Sequence, residues 1–566
     1  MNRSWNRRAL LRAAMVGATA AGLGRMWPAW AQSGTTGIAA PLPEETGGDI
    51  HLRIGHRMMR IDGRDRHAIG INGGAPAPIL RLREGQSVRI RVDNELDEET
   101  SLHWHGLILP FQMDGVPGIS FPGIAPRSGF TYEFPIVQAG TYWYHSHSGL
   151  QEQMGLYGPI VIDPAGPDPI ASDRQHVVML SDHSRLHPHE IFRRLKLEPG
   201  YFNRQRQTLS GLLAGRDQPP GDRLAWGGMR MDPTDISDVT GTTYDFLVNG
   251  HGPRDNWTAL FRPGERVRLR LINASAMTIF NVRIPGLKLT VVQADGLNVR
   301  PVAVDELQIS VAETYDVIVE PAEDRAYTIV GEAVDRSGMA RATLAPRPGM
   351  VAEVPPLRRR PIADMTDMGM DMGSMDHGAH NMDMSMRNPA NAPTVAMGPG
   401  VQTISPMPKD RTGEPGQGLD DAGHRVLVYR DLVAVERNPD VRAPTRSIDV
   451  HLTGNMERYM WSFDGKTLSE ARDPLPIRAG ERVRVNLIND TMMSHPIHLH
   501  GHFFELVTGH GDHAPRKHTV NVAPGGKVSF DVTGVEGDWA FHCHMLYHMH
   551  AGMMRVVQVR AGEEAA

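Results

Sequence analysis

The chain has 566 residues, 40% hydrophobic and 22% charged, with a formal net charge of −6. These values predict a soluble globular protein of roughly three or four domains and argue against a nucleic-acid-binding surface. A single cysteine excludes an intrachain disulfide, and the 27 histidines and 31 methionines are the unusual part of the composition.

At the N-terminus Arg7 and Arg8 precede a mildly apolar run, and Ala29-Trp30-Ala31 supplies a small-x-small cleavage site before Gln32. Residues 1–31 therefore read as a twin-arginine signal, which predicts passage through the Tat export machinery and a periplasmic mature protein. No later apolar run reaches the roughly 20 residues needed to cross a bilayer, so no membrane span is expected in the mature form.

One pattern then occurs three times, a turn followed by a glycine corner and an alternating strand. The turns are Asn72-Gly73, Asn249-Gly250 and Asp464-Gly465, and the strands are Ser87 to Asn94, Arg266 to Asn273 and Arg482 to Asn489. A second echo pairs Gly140 to His147 with Gly537 to His544. Short strands between Gly, Pro and Asn turns predict an all-β chain of antiparallel sandwiches. The expected units are 49–165, 166–345 with an insertion at about 183–241, and 425–562. In the insertion, Ile191 to Leu197 is weakly helical and Gly211 to Gly228 is turn-rich. Residues 346–424, rich in Pro, Met, Asp and Gly, read as a long mobile linker.

Four segments carry metal-ligand chemistry: His103-Trp104-His105, His145-Ser146-His147, His498-Leu499-His500, and His542-Cys543-His544. Alternate residues of a strand share a face, so each His-x-His pair aims two imidazoles at one side while Cys543 points to the other. With His495, His548 and Met553, Cys543 makes a thiolate, two-imidazole, thioether set, the donor set of an electron-transfer copper site.

These motifs resemble those of the multicopper oxidases, a family of cupredoxin-like Greek-key β-sandwich proteins, here with three such domains. The resemblance implies four coppers: a mononuclear blue site on His495, Cys543, His548 and Met553, and a trinuclear cluster. Within the cluster it implies His103 and His498 on one ion, and His105, His145, His147, His500, His542 and His544 on a coupled pair. It further implies that single electrons would enter at Cys543, pass along the strand to His542 and His544, and reduce O2 to water four at a time. Asp114, otherwise an ordinary turn residue before Gly115, resembles the family's carboxylate that assists oxygen reduction. Tyr547 stands where some members carry a second acid. Phe280 to Arg283 falls where ligands would lie in the middle unit, which matches the family's copper-free domain.

The tract from Met365 to Met386 interleaves eight methionines with Asp, His and Gly. Soft thioethers select Cu(I), and a hydrophobic-core role is not expected, because the intervening Asp and Gly would be buried too. The tract and Met229 to Gly241 resemble the periplasmic copper-resistance branch of the family. The implied activity is oxidation of Cu(I), with phenols as possible further donors and extra Cu(I) held on the tract. The alternatives are a copper-sequestering protein and a laccase-type phenol oxidase. Among the other histidines, His502 is expected beside the ligands or at the surface. His183, His187 and His189, and His510, His513 and His518, are expected in solvated loops.

Overall fold

The computed structural model describes residues 37–370, 386–471 and 473–561. Residues 1–31, read above as an export signal, and the centre of the Met-rich tract lie outside them. Six sheets form three β-sandwiches, with 4 and 5 strands in the first, 6 and 5 in the second, and 7 and 5 in the third. Among the described residues no helix is long and apolar enough to cross a membrane.

The repeated strand is the central strand of one sheet in each sandwich. Ser87–Asn94 runs parallel to Asp49–Ile61 and antiparallel to Gly129–Pro135. Val267–Asn273 is flanked in the same way by Arg174–Ser184 and Thr314–Val319, and Arg482–Asn489 by Arg446–Asn455 and Gly526–Thr533. The repeated turns share a mechanism as well. Asn72, Asn249 and Asp464 have φ of 49°, 51° and 51°, and each following glycine is also positive. That left-handed geometry favours Asn, Asp and Gly. Each turn side chain also accepts an N–H from the strand that runs parallel to the central one, at Arg53, Met179 and His451.

Exposure shows how the units sit together. In Ser87–Asn94 the apolar Val88, Ile90 and Val92 are buried while Arg89 and Arg91 face solvent. In Val267–Asn273 every residue is buried, because the middle sandwich is covered by its neighbours. Arg268 and Arg270 are consequently buried too, and both bond Asp316, which lowers the cost of removing them from water.

Two readings of the sequence are corrected. The insertion contains three helices: Pro188–Leu197, which bears out the helical look of Ile191 to Leu197, and Leu209–Leu213 and Pro220–Met229, where a turn-rich stretch was expected. The first begins at His187 with Pro188 in its first turn, buries Ile191 and Leu195, and stacks Phe192 at 6.0 Å from Tyr547. The described parts of the linker are also packed against the sandwiches. Arg358 donates to Glu306 and Glu332, both fully buried, while Ala363 and Met368 enter the core shared by the second and third sandwiches. Met365, Met370 and Met386 pack against that core. Met368 is therefore a core residue, and the other three are half-buried against the core's edge. The acid between them is accommodated because buried Asp367 pairs with Arg411 at 2.8 Å.

Replacing Arg358 with alanine leaves two buried glutamates short of a cation. The expected loss is about 3 kcal/mol of stability, the usual scale for breaking a buried pair. It should be read as a lower apparent melting temperature together with faster proteolysis between residues 346 and 370. Unchanged proteolysis would show that this ion cluster does not hold the segment.

Candidate metal centres

Strand pairing brings the four His-x-His segments together. His103–His105 pairs antiparallel with Gly140–His145, placing His103 opposite His145. His495–Leu499 pairs in the same way with Gly537–Cys543, placing His498 opposite His542. The first pair of strands belongs to the first sandwich and the second to the third, and their histidines meet across the interface. Ring centroids lie 3.9 Å apart for His103 and His500 and for His105 and His498. They lie 5.0 Å apart for His145 and His544, and 5.1 Å for His147 and His542. The equivalent strand of the middle sandwich, Phe280–Arg283, brings no histidine or cysteine.

The hydrogen bonds of these rings test whether metal fits. His103 Nδ1 donates to the Asp114 carbonyl at 2.7 Å, His145 Nδ1 lies 3.0 Å from Ser146 O, and His498 Nδ1 lies 2.7 Å from His518 O. These bonds fix the proton on Nδ1 and leave a lone pair on Nε2. The Nε2 atoms of His103, His145, His498 and His544 and the Nδ1 atoms of His105 and His544 are buried without a partner among the described residues. His500 Nε2 and His542 Nε2 face each other at 3.0 Å, although the Nδ1 of each already has an acceptor, Asp114 Oδ2 and Cys543 O. Two lone pairs at that distance make no hydrogen bond. Unpaired buried acceptors cost about 1–3 kcal/mol each, and protonation is disfavoured at His145, His498, His500 and His544, which burial first and neighbouring imidazoles second push well below the ordinary imidazole range. Cations bound by the lone pairs resolve the conflict, so the residues fit a metal cluster.

Cys543 lies on the other face of its strand. Its Sγ is 3.6 Å from His495 Nδ1 and 3.7 Å from His548 Nδ1, and the two nitrogens are 3.2 Å apart. An ion at the centre of that triangle would sit about 2 Å from each corner, the length of metal bonds to N and S. The outer nitrogens are anchored, His495 Nε2 by Thr491 and His548 Nε2 by Asp238 Oδ2, each at 2.8 Å. Burial pushes the Cys543 thiol up, so a metal must displace its proton on binding. Met553 is fully buried, and its backbone bonds both Cys543 N and His548 O.

Asp114 caps the short 3-10 helix Phe111–Met113, is 2% exposed, and bonds His500 Nδ1 at 2.8 Å. It touches two of the clustered rings, which an ordinary turn aspartate does not. His502 is buried, bonds His500 O and accepts the Val535 N–H, so both its nitrogens are engaged. Two histidines expected in solvated loops are buried. His518 lies 3.1 Å from His105 Nε2 and its carbonyl holds His498, and His183 sits on the strand Arg174–Ser184. The only signal for His518 is the alternating strand Thr519–Val522 that follows it. His187 and His189 are exposed, as expected.

A three-sandwich chain with a trigonal site of one thiolate and two imidazoles, beside an eight-imidazole cluster, has the architecture of a multidomain copper oxidase. Sequence models described as multicopper oxidase match residues 54–166, 227–347 and 442–563. The chain is 47% identical to a copper resistance protein A homolog of Pseudomonas syringae pv. tomato, over 98% of this chain and 99% of that protein. It is 46% identical to copper resistance protein A of Escherichia coli, over 97% and 98%. Among solved structures, the laccase from Botrytis aclada superposes with a TM-score of 0.64 at 21% identity, covering 95% of this chain and 93% of the laccase. A metallo-oxidase from Campylobacter jejuni superposes at 0.58 and 20%, covering 93% and 96%. The chain belongs to the multicopper oxidase family.

Copper added to the metal-free protein should raise its apparent melting temperature. A site filled at a thousandfold above its dissociation constant contributes about 4 kcal/mol. No shift on titration with copper would refute the reading of the unpaired nitrogens.

Proposed function

We propose that the chain oxidises Cu(I) one electron at a time and passes the electrons to O2, forming water, as its part in copper resistance. In this reading His495, Cys543, His548 and Met553 hold a mononuclear copper. His103 and His498 hold one ion of a trinuclear cluster, and His105, His145, His147, His500, His542 and His544 hold its coupled pair. Copper, when bound, supplies the one-electron acceptor and the oxygen-binding centre.

One observation carries the choice of donor. Met231, Met456 and Met492 line a cleft of about 280 Å3 with Asp232, Asp235 and Glu457, bordered by Arg206 and Arg230. Soft thioethers select Cu(I), and the carboxylates complement its charge. Asp235 is 7% exposed, and its Oδ1 has no partner among the described residues. Three residues on, Asp238 Oδ2 accepts from His548 Nε2 at 2.8 Å and from the Tyr459 hydroxyl at 2.7 Å. The segment from Met231 to Asp238 therefore runs from the cleft to a ligand of the Cys543 site.

The chain's own groups then have separable roles. The backbone between Cys543 and its two neighbours is the shortest covalent route from the donor side to the cluster. Asp114 Oδ2 accepts the Nδ1 proton of His500, which orients that ring and places a carboxylate one imidazole from the oxygen site for proton transfer. The Arg7-Arg8 signal supports Tat export and a periplasmic setting. Extra Cu(I) on the tract falls to Met372, Met375, Met382 and Met384, which lie outside the described residues, because the other four methionines are packed.

Oxygen uptake with Cu(I) as sole reductant tests the proposal, with Cys543→Ser run alongside to subtract spontaneous oxidation. The parent should consume O2 rapidly and the variant should not. Equal uptake by the two would favour sequestration. Replacing Met456 and Met492 together with leucine, a volume-conserving change, should raise KM for Cu(I) on the order of tenfold and leave phenol oxidation unchanged. Equal loss with both donors would remove the cleft as a copper entry. Asp114→Ala should slow turnover by about 10–100-fold while the blue colour of the Cys543 site persists.

A further inference from the structure

Glu152 is a buried acid that the family resemblance does not account for. It lies on the short 3-10 turn Glu152–Met154, is 4% exposed, and its Oε2 is 2.8 Å from His145 Nδ1. Its Oε1 has no hydrogen-bond partner, and His145 is its one ion-pair partner among the described residues. A carboxylate removed from water with no lysine or arginine beside it is expensive to keep. A cation on the far side of that imidazole would offset the charge, and His145 Nε2 is one of the unpaired nitrogens aimed at the cluster.

Comparison of two equivalent strands isolates what Glu152 adds. His542 Nδ1 lies 3.0 Å from the carbonyl of the next residue, Cys543, and His145 Nδ1 lies 3.0 Å from that of Ser146. The backbone bond alone therefore sets the tautomer on both strands. Only His145 has, in addition, a carboxylate from outside its strand, while Trp143 stacks on the ring at 4.2 Å. The neighbouring Gln153 explains why the acid is found here. Gln153 Oε1 accepts from the Tyr244 hydroxyl at 2.5 Å and lies 3.5 Å from the hydroxyl of Tyr547, the residue that stands where other members carry an acid. Gln153 thus lies beside Tyr547 while its neighbour Glu152 lies beside His145 of the cluster.

We propose that Glu152 is a positioning residue for the coupled metal pair, supplying from the first sandwich the carboxylate that Tyr547 cannot. It anchors the His145 ring against Trp143 and places a negative charge one imidazole from the bound cation. Asp114 Oδ2 serves His500 in the corresponding way, so two carboxylates from one sandwich hold two of the rings. This role rests on the cluster assignment proposed above.

The test compares copper-loaded Glu152→Ala and isosteric Glu152→Gln with the parent by chelator titration and EPR, recording the blue absorbance of the Cys543 site in the same samples. The alanine variant should lose cluster copper at chelator concentrations about 10–100-fold lower. Its formerly EPR-silent pair should become visible while the blue band stays. The glutamine variant keeps an acceptor oxygen without the charge, so its pair should stay silent and its resistance should fall between the other two. Parent-like behaviour of both variants would overturn the proposal. A glutamine variant as impaired as alanine would also overturn it, since the anchoring bond would then count for nothing. A parent with a blue site but no EPR-silent pair would refute the cluster assignment itself, and the role of Glu152 with it.

Discussion

The arrangement depends on lone pairs that the protein does not satisfy. Eight imidazoles from opposite ends of the chain meet at the interface of the first and third sandwiches, and backbone or carboxylate acceptors already hold one nitrogen on several of them. The remaining nitrogens face one another in a region closed to water. A hydrogen bond between rings does not relieve them, so under the proposed assignment metal binding and the packing of the two sandwiches would be coupled events. The interface is held at the cost of unpaired acceptors, and cations offset that cost.

Alternation along one strand joins this cluster to the second site. His542 and His544 face the imidazoles while Cys543 faces His495 and His548, and the pairing of Ile497 with Cys543 and His498 with His542 fixes the register. A slip of one residue would exchange the faces and leave both sites without their ligands. The two sites are therefore specified by a single register, which the sheet enforces with Met554–Arg560 on the other side.

The three sandwiches were legible because their turns and central strands follow local rules. Asn72, Asn249 and Asp464 announce the same left-handed turn, and alternation marks the strands that follow. The His-x-His pairs were legible for the same reason, since strand parity is a local property. His518 and Glu152 were not, because their importance comes from what other strands place beside them. His518 looked like one histidine of a loop, and no motif or periodicity singled out Glu152. The linker was misread because its contacts are long-range: Arg358 finds its partners at Glu306 and Glu332, and no periodicity around Arg358 announces that.

The middle sandwich offers no ligand from Phe280–Arg283, yet three of its aspartates reach the two sites. Asp238 bonds His548 directly. Asp295 Oδ2 accepts the N–H groups of His518 and Thr519, and thereby holds the carbonyl that orients His498 and the hydroxyl that lies 3.1 Å from His105. Asp182 gathers the N–H groups of Ala276, Met277 and Thr278, and the Ala276 carbonyl then receives Leu546 N, two residues beyond His544. Each aspartate is buried and acts through backbone or ring N–H groups, the kind of contact that transmits position rather than chemistry. A sandwich that binds no metal through that strand can still set the geometry of both centres. Its removal would be felt at the cluster and at Cys543 together, because the same unit braces the strand that connects them.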